Sequence, residues 1–193
     1  LQTTSPGIPD IYQGTELLSL SLVDPDNRRP VDYDHRMKLL LEIKTHVKQE
    51  TLGKLIERMK LNTTSGDLKL LVYERLLNAR KEYPCLVDGS YIPVQVQGRY
   101  QRHIIAYIRK NTEQSVLIVI PRHMTHLVHF GQFPCGPNIW IGTSLILPEE
   151  YQNLRWKNLI TGERDIDGNS QFQVGHALRS LSVAALVTEN TSN

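Results

Sequence analysis

The stretch HIIAYIRKNTEQSVLIVIPR, residues 103–122, decides the architecture of the C-terminal half. Two apolar, β-branched runs of strand length flank the polar residues Asn111–Gln114, the pattern of strands joined by a turn. The core of the second run, VLIVI at 116–120, has the length of a buried strand and falls far short of the roughly 20 residues a membrane span needs. Working outward, YIPVQVQG (91–98), NIWIGTSLILP (138–148), NLRWKNLITGE (153–163), FQVG (172–175) and SVAALVTE (182–189) repeat the theme. Runs of this kind at roughly ten-residue spacing predict an antiparallel β-sandwich over 91–193. TGE at 161–163 and DGN at 167–169 supply turn chemistry, and the polar tail after Val187 is expected to fray. Trp140 and Trp156 lie inside strand-like runs, which makes them sandwich core before they are a sugar-stacking platform.

Residues 34–90 read as a helical region. Asp34 is the expected N-cap of a first helix carrying Met37, Leu40, Leu41 and Val47. Thr51 opens a second, with Leu52, Leu55, Ile56 and Met59 on one face. NTTSGD at 62–67 breaks the pattern, and Asp67 is the expected cap of a third helix with Leu68, Leu71, Val72, Leu76 and Leu77, which Pro84 stops. The basic-leaning stretch 44–60 is most simply a solvated face.

Residues 1–33 differ in texture, punctuated by Pro6, Gly7, Pro9, Gly14, Pro25 and Pro30. Only Asp10–Glu16 has strand character, with Asp10, Tyr12, Gly14 and Glu16 alternating against Ile11, Gln13 and Thr15. A single strand cannot bury its own faces, so its sheet is expected to lie outside this chain. The piece that follows, DPDNRRP at 24–30, puts carboxylates and guanidinium groups on a Pro-stiffened loop. Such side chains bond adjacent sugar hydroxyls, and the loop after a strand is where a (β/α)8 barrel carries its site. Equally, Asp24, Asp26, Arg28 and Arg29 suit a loop pinned by local ion pairs. Glycosyl transfer needs two carboxyl groups held in different protonation states across the sugar, and nothing in this segment sets such a pair apart.

Composition excludes several classes. The 22 basic and 20 acidic residues nearly cancel at a net charge of +2, which offers no electrostatic argument for nucleic acid or an anionic membrane. The 40% hydrophobic content supports a true core. Cys85 and Cys135 have no metal-knuckle spacing and read as free thiols of a reducing compartment. LQTTSPG at the start has neither a basic nor an apolar signal region, so the cytoplasm is the expected location. His123, His126 and His129 recur every third residue, but on strand or loop that spacing scatters the rings, and no carboxylate or thiol lies close enough in sequence to complete a metal site. GERDIDGN at 162–169 lacks the closing Glu of a calcium loop and reads as a turn.

Taken together, SPGIPDIYQGTELLSLSLVDPDNRRPVDY (5–33) resembles the segment at the last barrel strand of maltooligosyltrehalose synthases, the trehalose-forming branch of the α-amylase superfamily. The wider superfamily's Gly-x-Pro-x-x-Tyr-x-Gly-x-Glu pattern is matched by Gly7, Pro9, Tyr12, Gly14 and Glu16, and SLVDPDNRRPVD (21–32) narrows the likeness. LKLLVYERLLNARKEYPCLVDGSYIPV (68–94) is similar to the last barrel helix and its linker, and IVIPR, WKNLITGE and SVAALV fit the same family's tail.

The resemblance implies an α+β chain. Residues 1–33 would be the last strand and substrate-side loop of a barrel, 34–90 a helical region including the last barrel helix, and 91–193 a C-terminal β-sandwich. It implies conversion of the reducing-end α-1,4 linkage of a maltooligosaccharide to α,α-1,1 by intramolecular transfer, without a redox cofactor. The catalytic carboxylates would lie upstream, leaving this chain inactive alone and able to self-associate through its unpaired N-terminal segment. Tyr12, Gln13 and Glu16 would sit on the barrel rim, and Asp24, Asp26, Asn27, Arg28 and Arg29 would face the maltooligosaccharide. An α-amylase-type hydrolase or glucanotransferase, or a non-catalytic glucan-binding module, is the alternative.

Overall fold

The computed structural model describes residues 1–20 and 28–189. Among the described residues, three helices precede the sheets, α1 (Tyr33–Lys48), α2 (Leu52–Lys60) and α3 (Asp67–Glu82), followed by the one-turn α4 (Cys85–Asp88). The strands are β1 (Ser90–Pro93), β2 (Gln95–Gly98), β3 (Ile104–Lys110), β4 (Ser115–Pro121), β5 (Thr143–Ile146), β6 (Leu154–Asn158), β7 (Ile166–Gly168), β8 (Gln171–Gln173) and β9 (Ala184–Thr188), with a short α5 (Val174–Ala177) after β8. They form two sheets, a six-stranded β1-β3-β4-β9-β6-β7 and a three-stranded β2-β5-β8, and every pairing is antiparallel.

Residues 104–121 form the centre of the large sheet. Ile104–Lys110 pairs in register with Ser115–Pro121, and β4 in turn pairs with β9. Val116, Leu117, Ile118 and Val119 are all buried because both faces of this sheet are covered. Tyr107, Val116 and Ile118 pack with Leu55, Ile56, Leu71, Leu76 and Leu86 of the helices. Ile108, Leu117 and Val119, from the opposite face, pack with Leu145, Phe172, Trp140 and Trp156 beneath the small sheet. The layers are therefore helices, large sheet and small sheet, and a continuous apolar run is what a strand buried on both faces requires.

Several local expectations are corrected. The run 91–98 splits at Val94 into two strands that join different sheets, since Tyr91 pairs with Arg109 and Val96 with Leu145. Gly98 makes the turn out of β2 at φ +100, and a Cβ there would sit inside the contact distance of the Gly142 carbonyl oxygen. In 138–148 only Thr143–Ile146 is strand. Trp140 precedes it in a turn and donates its indole N–H to the Pro134 carbonyl at 2.9 Å. The DGN turn is partly strand β7.

Among the helices, α2 buries Leu52, Leu55, Ile56 and Met59 as its period predicts. Asp34 is not the cap of α1. Asp32 is, because its carboxylate reaches the His35 N–H at 2.9 Å, and Asp34 falls inside the first turn. Met37 and Leu41 are exposed, and the inward stripe is one notch over, with Ile43 buried and Leu39 and Val47 packed against the core. Gly66 in the left-handed region, not Asp67, caps α3. Finally, Asp10–Glu16 forms no strand: among the described residues no strand pairs with it, and it closes a turn through Thr15 N–H to the Tyr12 carbonyl at 3.0 Å. No helix among the described residues is long and apolar enough to cross a membrane.

Candidate functional site

The N-terminal segment lies against α3 and the large sheet, and two guanidinium groups hold it there. Arg80, buried near the end of α3, donates from Nη1 to the carbonyls of Thr3 (3.0 Å), Ser5 (3.0 Å) and Leu86 (3.1 Å), and from Nη2 to that of Gly7. Burial, and secondarily the Arg109 charge, pull its pKa below the ordinary guanidinium range, and the four carbonyl dipoles compensate the buried cation. The Gly7 N–H completes the seat by donating to the Val87 carbonyl at 3.2 Å. The Thr4 hydroxyl meets the Tyr107 hydroxyl at 2.6 Å, with both residues buried. Burial pushes the Tyr107 phenol up, so it stays protonated and available for that bond.

Arg36, in the first turn of α1, holds the next part. It donates to a Glu16 carboxylate oxygen at 3.2 Å, to the Gly14 carbonyl at 2.7 Å and to the Asp32 carbonyl at 3.0 Å. Gly14 has φ +84, and a Cβ there would lie 3.1 Å from a Val31 methyl, so the turn Tyr12–Glu16 sits close on the chain entering α1. Beyond it, Lys69 donates to the Leu17 carbonyl at 3.3 Å, and Gly66 leaves no room for a Cβ against the Leu18 backbone. Tyr73, whose phenol is pushed up by burial and by the Glu16 charge, donates to the Gln2 side chain at 2.9 Å.

The predicted site residues thus divide. Tyr12 and Gln13 are exposed at the tip of the turn. Glu16 is half-buried and already engaged by Arg36. Arg28 and Arg29 are exposed just before α1, while Asp24, Asp26 and Asn27 lie outside the described residues. Arg36 and Arg80 were not singled out from the sequence. The signal available was positional: each is a cation on the inward stripe of its helix, Arg36 in step with Leu39 and Ile43, and Arg80 with Leu76.

Elsewhere, the other candidates carry less. Trp140 and Trp156 are 1% and 0% exposed, which removes them as a sugar-stacking platform. His123, His126 and His129 are all exposed, and among the described residues no group of three or more His, Cys, Asp or Glu is placed to hold a metal ion. An apolar cleft of about 370 Å³ runs between Leu1–Thr4, α3 and the strand end at Ile118–Ile120. Its lining is mainly apolar, and of its polar side chains Thr4 is held by Tyr107 while Gln2 and Tyr73 bond each other.

No family model matches the chain. Two curated relatives, from Mycobacterium tuberculosis strains CDC 1551 and H37Rv, are each described as a putative maltooligosyl trehalose synthase. Each is 32% identical over 191 residues, which is 98% of this chain and 20% of the relative. The solved structure of maltooligosyltrehalose synthase from Arthrobacter ramosus superposes with a TM-score of 0.67 at 27% identity, over 96% of this chain and 21% of that one. A point mutant of that enzyme gives the same values. The chain therefore spans about one fifth of the proteins it matches, and the matched part is C-terminal.

Proposed function

We propose, from the premise that this chain is homologous to a C-terminal part of maltooligosyltrehalose synthases, that it serves as the C-terminal part of an enzyme converting the reducing-end α-1,4 linkage of maltooligosaccharides to α,α-1,1. In this reading residues 1–33 are a barrel remnant that meets the substrate, 34–90 the supporting helices and 91–193 a sandwich that stabilises them. The observation that carries it is the turn Tyr12–Glu16: two exposed side chains able to bond or stack on sugar stand on backbone pinned from behind by Arg36 and, upstream, by Arg80. A pinned polar turn is what a sugar site needs, because orientation lost on binding weakens every hydroxyl contact at once.

The catalytic carboxylates belong, on this proposal, to other parts of the enzyme. The chain alone is inactive, and no redox cofactor takes part. Arg28, Arg29, Asp24, Asp26 and Asn27 complete the sugar-facing wall. Two free cysteines, one of them buried, fit a reducing cytoplasm. The assay follows maltopentaose by loss of reducing ends and by release of trehalose after hydrolysis of the product. The full-length protein should form non-reducing ends with little free glucose, and the isolated chain should form none. Free glucose or exchanged maltooligosaccharides in place of trehalose would move the protein to the hydrolase and glucanotransferase branch. Turnover by the isolated chain would overturn the division of labour.

A further inference from the structure

Glu16 matches a sugar-site pattern in the sequence, yet its carboxylate is turned to protein. Arg36 receives it at 3.2 Å and spends its other two nitrogens on the Gly14 carbonyl at 2.7 Å and the Asp32 carbonyl at 3.0 Å. The three acceptors come from two segments far apart in sequence. One is the turn that carries Tyr12 and Gln13, and the other is the N-cap residue of α1, whose carboxylate holds the His35 N–H. A surface ion pair alone is worth little. A planar fork with all three nitrogens engaged is different, because it fixes the turn against a helix end in one orientation, which a single-point ammonium cannot do. The rest of the turn agrees: the Tyr12 carbonyl accepts from both the Thr15 N–H at 3.0 Å and its hydroxyl at 2.6 Å, and Gly14 presses on Val31.

We propose that Arg36 is a positioning residue for carbohydrate binding, orienting Tyr12 and Gln13 toward the glucan, and that Glu16 acts through Arg36 without touching the sugar. This rests on the function proposed above. The ligand class is a neutral α-glucan, recognised through hydroxyls and a ring face by the amide of Gln13 and the phenol of Tyr12.

The test uses the full-length protein with maltopentaose, comparing wild type with Arg36→Gln, Arg36→Lys, Glu16→Gln and the Arg36→Gln/Glu16→Gln double variant. Losing orientation at one well-placed contact costs about tenfold in affinity. Arg36→Gln should therefore raise KM about tenfold while kcat stays within about threefold, the pattern of lost ground-state binding. Arg36→Lys should recover part of the loss, and Glu16→Gln should shift KM in the same direction by less. The double variant should add little to Arg36→Gln, as coupled partners do. Wild-type KM in all variants, with only a lowered Tm, would make the pair structural and overturn the inference. So would a Glu16→Gln variant that loses kcat while KM holds, since Glu16 would then act on the reacting sugar. If Arg36→Gln fails to fold, the Lys and Glu16 variants still decide. Failure of the functional reading is separate: it shows in the wild type's products, whereas the KM comparison reads Arg36 whatever glucan product forms.

Discussion

Replacing Arg80 by Met isolates what seats the N-terminal segment. Arg80 makes four bonds to carbonyls, three of them on Thr3, Ser5 and Gly7 and one on Leu86 in α4. Hydrogen bonds to a charged group contribute about 1.5–3 kcal/mol each, so four taken singly would come to about 6–12 kcal/mol. Two effects cut that figure. The guanidinium is desolvated and repelled by Arg109, costs that vanish with the charge. The Met side chain also keeps most of the apolar contact of the Arg stem. A net loss of about 2–3 kcal/mol remains, equivalent to a fall of about 4–12 °C in Tm for a chain of this size. Because three of the four acceptors lie in residues 3–7, the loss should be local. Hydrogen exchange at the Ser5 and Gly7 amides, bonded to the Leu1 and Val87 carbonyls, should rise by at least tenfold. The Val119 amide in the middle of β4 should slow or quicken only with global stability. Unchanged exchange at Ser5 and Gly7 would refute the seat, and so would equal quickening at Val119, which would mean that Arg80 supports the whole core instead.

Gly98→Ala should cost about 3 kcal/mol or more, since a side chain must be held at φ +100 while pushing on the Gly142 carbonyl; a denaturant midpoint within a few tenths of a molar of wild type would contradict this. Stability should fall on the alkaline side. Burial pushes up the Cys85 thiol and the Tyr73, Tyr83 and Tyr107 phenols, so the folded chain keeps protons that the unfolded chain loses. The denaturation midpoint should therefore decline above the ordinary thiol range of about pH 8.5, more steeply past pH ~10. Cys85→Ala should remove the first part of the decline, and a midpoint constant through pH 11 would oppose the burial of these groups.

The β half was legible because its signal is local. VLIVI is apolar at every position, a run of strand length, and a strand covered on both faces has no polar side to show. The break at Val94 was not legible, because the choice between sheets is made by distant strands: Tyr91 finds Arg109 and Val96 finds Leu145. Helix α2 was read correctly since its four apolar positions form a single stripe and all four are buried. In α1 the apolar residues spread around the cylinder, from Met37 through Leu39, Leu40 and Leu41 to Ile43. Which of them faces inward is decided by where α2 and α3 lie, so the period alone does not tell that Ile43 is buried while Met37 and Leu41 are exposed.

For the site the lesson runs through the pattern Gly7, Pro9, Tyr12, Gly14, Glu16. It was readable as a unit, but its members do unlike things. Gly7 and Gly14 take positive φ and offer their carbonyls to Arg80 and Arg36. Glu16 supplies the carboxylate that fixes Arg36, and only Tyr12 presents its side chain to solvent. A motif therefore identifies a backbone shape as much as a set of contacting groups. The complementary half of that shape is carried by two arginines 20 and 64 residues past Glu16 in sequence, on helices whose period marks their positions as core. A cation on an apolar stripe must find acceptors or unfold the helix packing. Here the acceptors are the carbonyls of the very segment that carries the motif, so the stripe arginines and the motif glycines are two readings of one contact.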